Sequence, residues 1–365
     1  MNSAEGLGGE FPTVPASPAV NAADARRDTP LRRRSGCTLR GLGWAMAGIG
    51  GLSIAYALIE AQAYTLRRVT VPLLGGSCSP LTILHLSDLH MAAGRRGRRR
   101  AAWVRRLESE APDLVVLTGD DLACPDGLPV VLDALGPFLD GPGAFVFGSN
   151  DYVSARWHNP ARYVTSRLVA RGEPEAGQPV PEDQFDLPWT ELRAALCRAG
   201  WFDLNNARAS AVIGGQNVRM VGLDDPHIAR DALPAATGKD GGPMEEGGAG
   251  IVLGVVHAPY QRALRALADD GAQLILAGHT HGGQLTLPGH GALVANCDVG
   301  TDRARGLHGW PGPRPDEPGG EESVWLHVSA GLGTSPYVPL RVAARPEATL
   351  LTLTPRNTTP EGRVC

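Results

Sequence analysis

Five short apolar runs in this chain are each followed at once by residues able to bind a divalent cation. Ser87-Asp88-Leu89-His90 follows Leu81–Leu86, Gly119-Asp120-Asp121 follows Leu114–Thr118, and Gly148-Ser149-Asn150-Asp151 follows Ala144–Phe147. His257-Ala258-Pro259 follows Ile251–Val256, and Gly278-His279-Thr280-His281-Gly282-Gly283 follows Leu274–Ala277. Carboxylates, an asparagine carbonyl and neutral imidazoles form a mixed oxygen and nitrogen donor set. Such a set suits two divalent ions drawn from Mn, Fe or Zn better than a soft, thiolate-bound metal or a lone calcium. Two ions roughly 3.5–4 Å apart support in-line displacement at phosphorus. Singly the motifs are weak: a Gly-Asp pair after a strand is more often a turn, and a lone His257 more often a core histidine. The glycines of Gly278–Gly283 let the backbone turn while two imidazoles face nearly one point, which is a stronger signal. Specificity lies in the ordered combination.

The elements that position these residues follow from the pattern of the chain. The apolar runs are short and bounded by Gly, Pro or charge, as buried strands are. Helical patterns lie between them, at Arg99–Glu110, Leu128–Leu139, Trp189–Ala199 and Tyr260–Ala268. Further strands are expected at Ala211–Ile213, Val218–Gly222, Val324–Val328 and Thr349–Leu353, and loops at Pro234–Gly250 and Pro311–Gly320. The fold class is therefore α/β, one domain over residues 81–355. In open α/β sheets the carboxyl ends of strands converge on one crevice, so the five strand exits can meet in space.

From Leu81 to Leu353 the chain resembles the calcineurin-like metallophosphoesterase family. The likeness is to its membrane-anchored bacterial branch, through Gly278-His279-Thr280-His281-Gly282-Gly283-Gln284 and Gly331-Leu332-Gly333-Thr334-Ser335-Pro336. The resemblance implies a four-layer α-β-β-α sandwich with two divalent metal ions at one end. It assigns Asp88, His90, Asp120 and His281 to the first metal, and Asp120, Asn150, His257 and His279 to the second, with Asp120 bridging. A metal-bridging hydroxide would attack a phosphodiester or pyrophosphate-type bond. The third motif departs from the family's Gly-Asn-His-Asp or Gly-Asn-His-Glu. A gapless match puts Ser149 at the ligand position and Asn150 at the catalytic one. A slip of one residue makes Asn150 the ligand and Asp151 the catalytic replacement, and is preferred because an amide oxygen ligates better than a neutral hydroxyl. Either register lacks the general-acid histidine, so a metal-binding scaffold without turnover is the alternative.

The rest of the chain bears on partners and location. Gly41–Ile59 holds 19 residues without a charge, long enough to span a bilayer. Expected are a disordered basic tail at 1–38, a transmembrane anchor at 39–60, and a single-pass protein of the cell membrane. A signal peptide cleaved near Ala61-Gln62-Ala63 is the other reading. Positive charge is denser before the segment than after it, which places the domain outside the cytoplasm. The substrate expected is a phosphorylated small molecule or a lipid-linked one. The net charge of −4 gives no reason to expect nucleic acid. Six scattered cysteines make no disulfide framework. Of 34 basic residues only Lys239 is lysine, so the arginine run from Arg95 to Arg106 is weak evidence by itself.

Overall fold

The computed structural model describes residues 50–76, 78–154, 179–236, 250–287, 291–293, 295–334 and 339–356. Residues Leu52–Cys365 form one compact unit. Among the described residues its strands are β1 (Thr65–Leu74), β2 (Leu81–Leu86), β3 (Leu114–Leu117), β4 (Gly143–Phe145), β5 (Phe202–Asp203), β6 (Ala207–Ile213), β7 (Gln216–Leu223), β8 (Gly250–Val256), β9 (Leu274–Ala277), β10 (Thr286–Leu287), β11 (Gly291–Ala292), β12 (Gly306–Trp310), β13 (Val324–Val328) and β14 (Glu347–Pro355). The main helices are α1 (Arg95–Arg105), α2 (Leu128–Leu135), α3 (Trp189–Arg198) and α4 (Gln261–Asp269).

Two six-stranded mixed sheets carry the fold, ordered β1-β14-β2-β3-β4-β5 and β12-β13-β9-β8-β7-β6. Strands β2 to β5 run parallel in the first, and β7, β8, β9 and β13 in the second, each joined by crossover segments. Parallel strands covered on both faces read as unbroken apolar runs rather than alternating ones. LVVL of β3 and LILA of β9 are buried throughout, as that rule requires. Ile83, Val116, Val218, Leu253, Leu276 and Trp325, drawn from both sheets, share one apolar cluster, so the sheets face each other. The outer face of the first sheet packs α1, α2 and α3, and that of the second packs α4. The result is the four-layer α-β-β-α arrangement.

Several elements depart from the expectations. The sheet begins at Thr65, not Leu81, because β1 pairs in parallel with β14 over its length. The sequence of β1, TLRRVTVPLL, mixes charge with apolar residues and only its second half is mostly buried, so it lacks the apolar run of a buried strand. β5 and β12 were also unforeseen. α1 starts earlier than expected, at Arg95, and tightens into a 3₁₀ turn at Arg106–Glu110. Residues 1–49, most of Pro234–Gly250, and Ser335–Pro336 lie outside the described residues. These include residues 39–49 of the expected membrane span. Among the described residues no helix is long and apolar enough to cross a membrane. Among the described residues no cysteine forms a disulfide.

Candidate metal centre

The parallel strands β2, β3, β4, β8 and β9 end on one side of the molecule, and the loops after them bring two triads of donor atoms together. Asp88, His90 and His281 form one, and Asp120, His257 and His279 the other, with donor atoms within 4.8 Å of one another in each. In the first, His90 Nε2 lies 3.3 Å from His281 Nε2, and His281 Nε2 lies 3.6 Å from Asp88 Oδ1. In the second, His279 Nδ1 lies 3.2 Å from His257 Nε2. Asp120 stands between them. Its Oδ2 is 3.6 Å from His90 Nε2, and its Oδ1 is 3.5 Å from His257 Nε2.

Backbone strain marks the same residues. Asp88, His90, Asp120, His279 and His281 all have positive φ, between 40° and 67°. Such angles are uncommon outside glycine and cluster at functional sites, where surrounding structure holds them. Glycine is required beside them: a Cβ on Gly148 would lie 2.3 Å from Asp120 Oδ1. One on Gly331, itself at φ 67°, would lie 2.6 Å from the Asp88 Cβ. This second glycine explains why the late Gly331–Gly333 segment belongs to the site.

The donor chemistry fits cations. Asp88 Oδ1 is buried without a hydrogen-bond partner, while Oδ2 accepts from Ser87 Oγ and from the His279 N–H. His257 donates Nδ1–H to the Thr118 carbonyl at 2.6 Å, which turns Nε2 toward the site. His279 donates Nε2–H to the Asn296 carbonyl at 3.2 Å and turns Nδ1 inward. Outer partners of this kind set the tautomer of metal-binding histidines. Burial keeps His279 and His281 well below the usual imidazole range, and His90 at about 4, so all three are neutral bases. Burial also opposes ionisation of Asp120, but His257, His90 and His279 outweigh it and hold the carboxyl at about 2. Burial likewise works against charge on His257, yet Asp120, Asp225 and Asp88 carry it up to about 10. The pocket thus concentrates negative charge that a cation would neutralise.

Asn150 and Asp151 have different fates. The Asn150 backbone N–H donates to Asp120 Oδ1 at 2.8 Å, and its side-chain amide reaches Asp120 Oδ2 at 2.6 Å. Asp151, expected as a catalytic group, is fully buried and turned into the loops. Its carboxylate accepts four backbone N–H bonds, from Asp120, Asp121, Leu122 and Gly148. With four N–H groups converging on it, it braces the Asp120 loop against the third motif.

Three further residues build the site without having been singled out. Arg341, fully buried, donates to the carbonyls of His281, Ala330, Gly331, Gly333 and Ala344. Arg100 donates Nη1 to the His90 carbonyl at 2.8 Å. His227 packs its ring 4.5 Å from that of His279 and bonds Tyr260 Oη at 3.0 Å. A signal for His227 existed: Asp224-Asp225-Pro226-His227 is the exit of β7, a sixth strand end of the same kind. No local signal marks the arginines, whose partners are distant or are main-chain atoms. His85 and His327 lie within strands as structural residues, and His308 bonds the Arg305 carbonyl.

Fold and site together define a metallophosphoesterase. A family model for calcineurin-like phosphoesterase matches residues 81–283, and the chain belongs to that family. The uncharacterized metallophosphoesterase YkuE of Bacillus subtilis is 23% identical over 309 residues, covering 82% of this chain and 87% of that protein. The uncharacterized protein YpbG of the same organism is 26% identical, covering 83% and 95%. The UDP-2,3-diacylglucosamine pyrophosphatase LpxG of Chlamydia trachomatis is 27% identical over 297 residues, covering 74% and 83%.

Proposed function

We propose that this protein is a membrane-anchored hydrolase that uses two divalent ions to cleave pyrophosphate-type or activated phosphodiester bonds, in a lipid-linked substrate outside the cytoplasm. The observation that carries the reading is the shared carboxylate, with one oxygen of Asp120 facing each triad. Asp88, His90, Asp120 and His281 would hold one ion, and Asp120, His257, His279 and Asn150 the other. Asn150 enters this set because its amide already lies against Asp120, and exchange of amide oxygen and nitrogen is a matter of assignment. Bound there, the ions supply an activated water and stabilise charge at phosphorus.

What the chain's own residues omit narrows the substrate. Asn150 donates no proton usefully, and Asp151 is occupied by four N–H groups. General acid catalysis is commonly worth about 10²–10⁴-fold. A phosphate leaving group is a weak base and needs little protonation, whereas a sugar or glycerol alkoxide needs it most. The name of the chlamydial relative, a pyrophosphatase for a diacylated nucleotide sugar, agrees with that preference. The anchor reading rests on the uncharged Gly41–Ile59 segment and on Leu52 and Ile59, which stand 73% and 69% exposed.

The test compares kcat/KM of the full chain, loaded with Mn²⁺ in detergent, across esters of graded leaving-group pKa. A steep dependence that Asn150→His flattens is expected. A flat dependence in the parent chain would remove the substrate inference, and two tightly bound ions with no turnover would establish the scaffold reading instead.

A further inference from the structure

We propose that the arginine-rich face of α1, with the adjoining helical residues 52–60, is a docking surface for an anionic lipid bilayer. The proposal deepens the anchored-enzyme reading and rests on its view that the segment ending at Ile59 enters a membrane.

The first observation is a set of cations without internal partners. α1 opens with Arg95, Arg96, Arg98 and Arg99, all exposed, and has neither an acidic residue in its first turn nor a side-chain cap. Cations at a helix N-terminus oppose the helix dipole, so the arrangement does not serve the helix. Several arginines elsewhere in this protein are paired: Arg208 with Asp270 at 2.6 Å, Arg262 with Asp231 at 2.8 Å, Arg68 with Glu110 at 2.7 Å. Among the described residues, Arg95, Arg96, Arg98 and Arg99 form no ion pair, and the one side-chain bond they make is from Arg99 to Gln62 Oε1 at 3.3 Å.

The second observation is apolar and adjacent. Leu52, Ile54, Tyr56 and Ile59 stand 73%, 55%, 55% and 69% exposed, while Ala57 and Glu60 on the same helical stretch are buried against the domain. Gln62, the residue that Arg99 reaches, follows Ile59 by less than one helical turn, about 5 Å along an axis. Arg99 therefore reaches a residue just past the last exposed apolar side chain, the spacing of phosphate headgroups from the acyl layer. Tyr56 has the amphipathic ring favoured at that boundary. Basic clusters immediately beside a membrane segment are attracted to anionic lipid.

The third observation ties this face to the site. On the inward side of α1, Arg100 donates to the carbonyl of His90, and Tyr64 packs its ring 5.6 Å from that of Trp103. Docking of α1 would hold the His90 loop close to the headgroup layer, where the scissile bond of a lipid-linked substrate lies.

The experiment follows amide hydrogen exchange over residues 95–106 of the full chain in nanodiscs of phosphatidylcholine, with or without phosphatidylglycerol. Slowing of at least about fivefold in the anionic discs is expected, the effect of even one arginine at such a surface. It should be relieved at about 0.5 M salt and absent in the variant R95Q/R96Q/R98Q/R99Q. Equal exchange in both discs overturns the proposal, as does equal protection by inorganic phosphate in neutral discs, which would mark an anion site instead. A chain that elutes apart from the discs overturns the anchor reading with it. Turnover of a soluble aryl phosphodiester, expected to be unchanged in the variant, reports separately on the phosphoesterase reading.

Discussion

Asp120 is the residue on which the centre turns, because each of its oxygens faces a different triad. Asp120→Asn is expected to abolish turnover and to lower metal content at both positions, read by elemental analysis after dialysis. Retention of two tightly bound ions would show that the bridge is misassigned. Gly148→Ala is expected to act the same way with the fold intact, since its Cβ would meet Asp120 Oδ1. Donor types at strand ends were legible in the sequence, since Asp, Asn and His after a buried run need only the pattern of the run to be placed. The strain at Asp88, His90, Asp120, His279 and His281 was not, because nothing in residue type announces a positive φ. The same holds for Asp151. A carboxylate next to a motif reads as chemistry, and only the four N–H groups converging on it reveal a brace.

At the scale of elements, β2 and β13 meet across the apolar layer through a histidine pair. His85 Nδ1 lies 2.9 Å from His327 Nδ1, and His85 Nε2 lies 2.9 Å from Thr118 Oγ1. Burial, with the neighbouring ring, keeps His85 well below its usual value, and burial holds His327 at about 3. Both are neutral when folded, whereas the unfolded chain protonates them below about pH 6.5. The unfolded state then binds more protons, so stability is lost as pH falls from about 6.5 toward 3. The slope approaches about 1.4 kcal/mol per pH unit for each histidine. Urea unfolding at pH 7.5 and 5.5, with chelator present to remove metal effects, should show a smaller loss for His327→Leu than for the parent chain. An equal loss would mean that the pair is not held neutral. Strands such as β3 and β9 were legible because burial on both faces writes an unbroken apolar run. β1 was not, because an edge strand with an exposed half carries arginines that break the run.

Across the whole molecule, the segment preceding β2 is structurally part of the metal centre, although the family likeness starts at Leu81. β1 adds a parallel strand to β14, and β14 in turn pairs with β2, which delivers Asp88 and His90. Before β1, the Glu60 carboxylate accepts the N–H groups of Ala343 and Ala344 at 3.1 Å each. The Arg341 backbone N–H donates to the Ala57 carbonyl at 3.2 Å. Arg341 holds the carbonyls of Gly331 and Gly333, and the positive φ of Gly331 and the tight packing of both glycines against Asp88 and His90 set the first triad. Two layers of support can therefore be removed in order. A fragment beginning at Leu81 is expected to lose cooperative unfolding, because it leaves the β14 edge and Leu351 and Leu353 without their cover. One beginning at Thr65 should regain a cooperative melt but bind Mn²⁺ more weakly, by about 10- to 100-fold, as loss of outer-sphere support typically costs. One beginning at Leu52 should restore that affinity, and Glu60→Ala in the full chain should reproduce the weakened binding without a change of fold. Thermal melts and Mn²⁺ titrations of this nested series measure each step. If the fragment from Leu81 melted cooperatively and bound two ions as tightly as the full chain, the coupling of the N-terminal segment to the centre would be refuted.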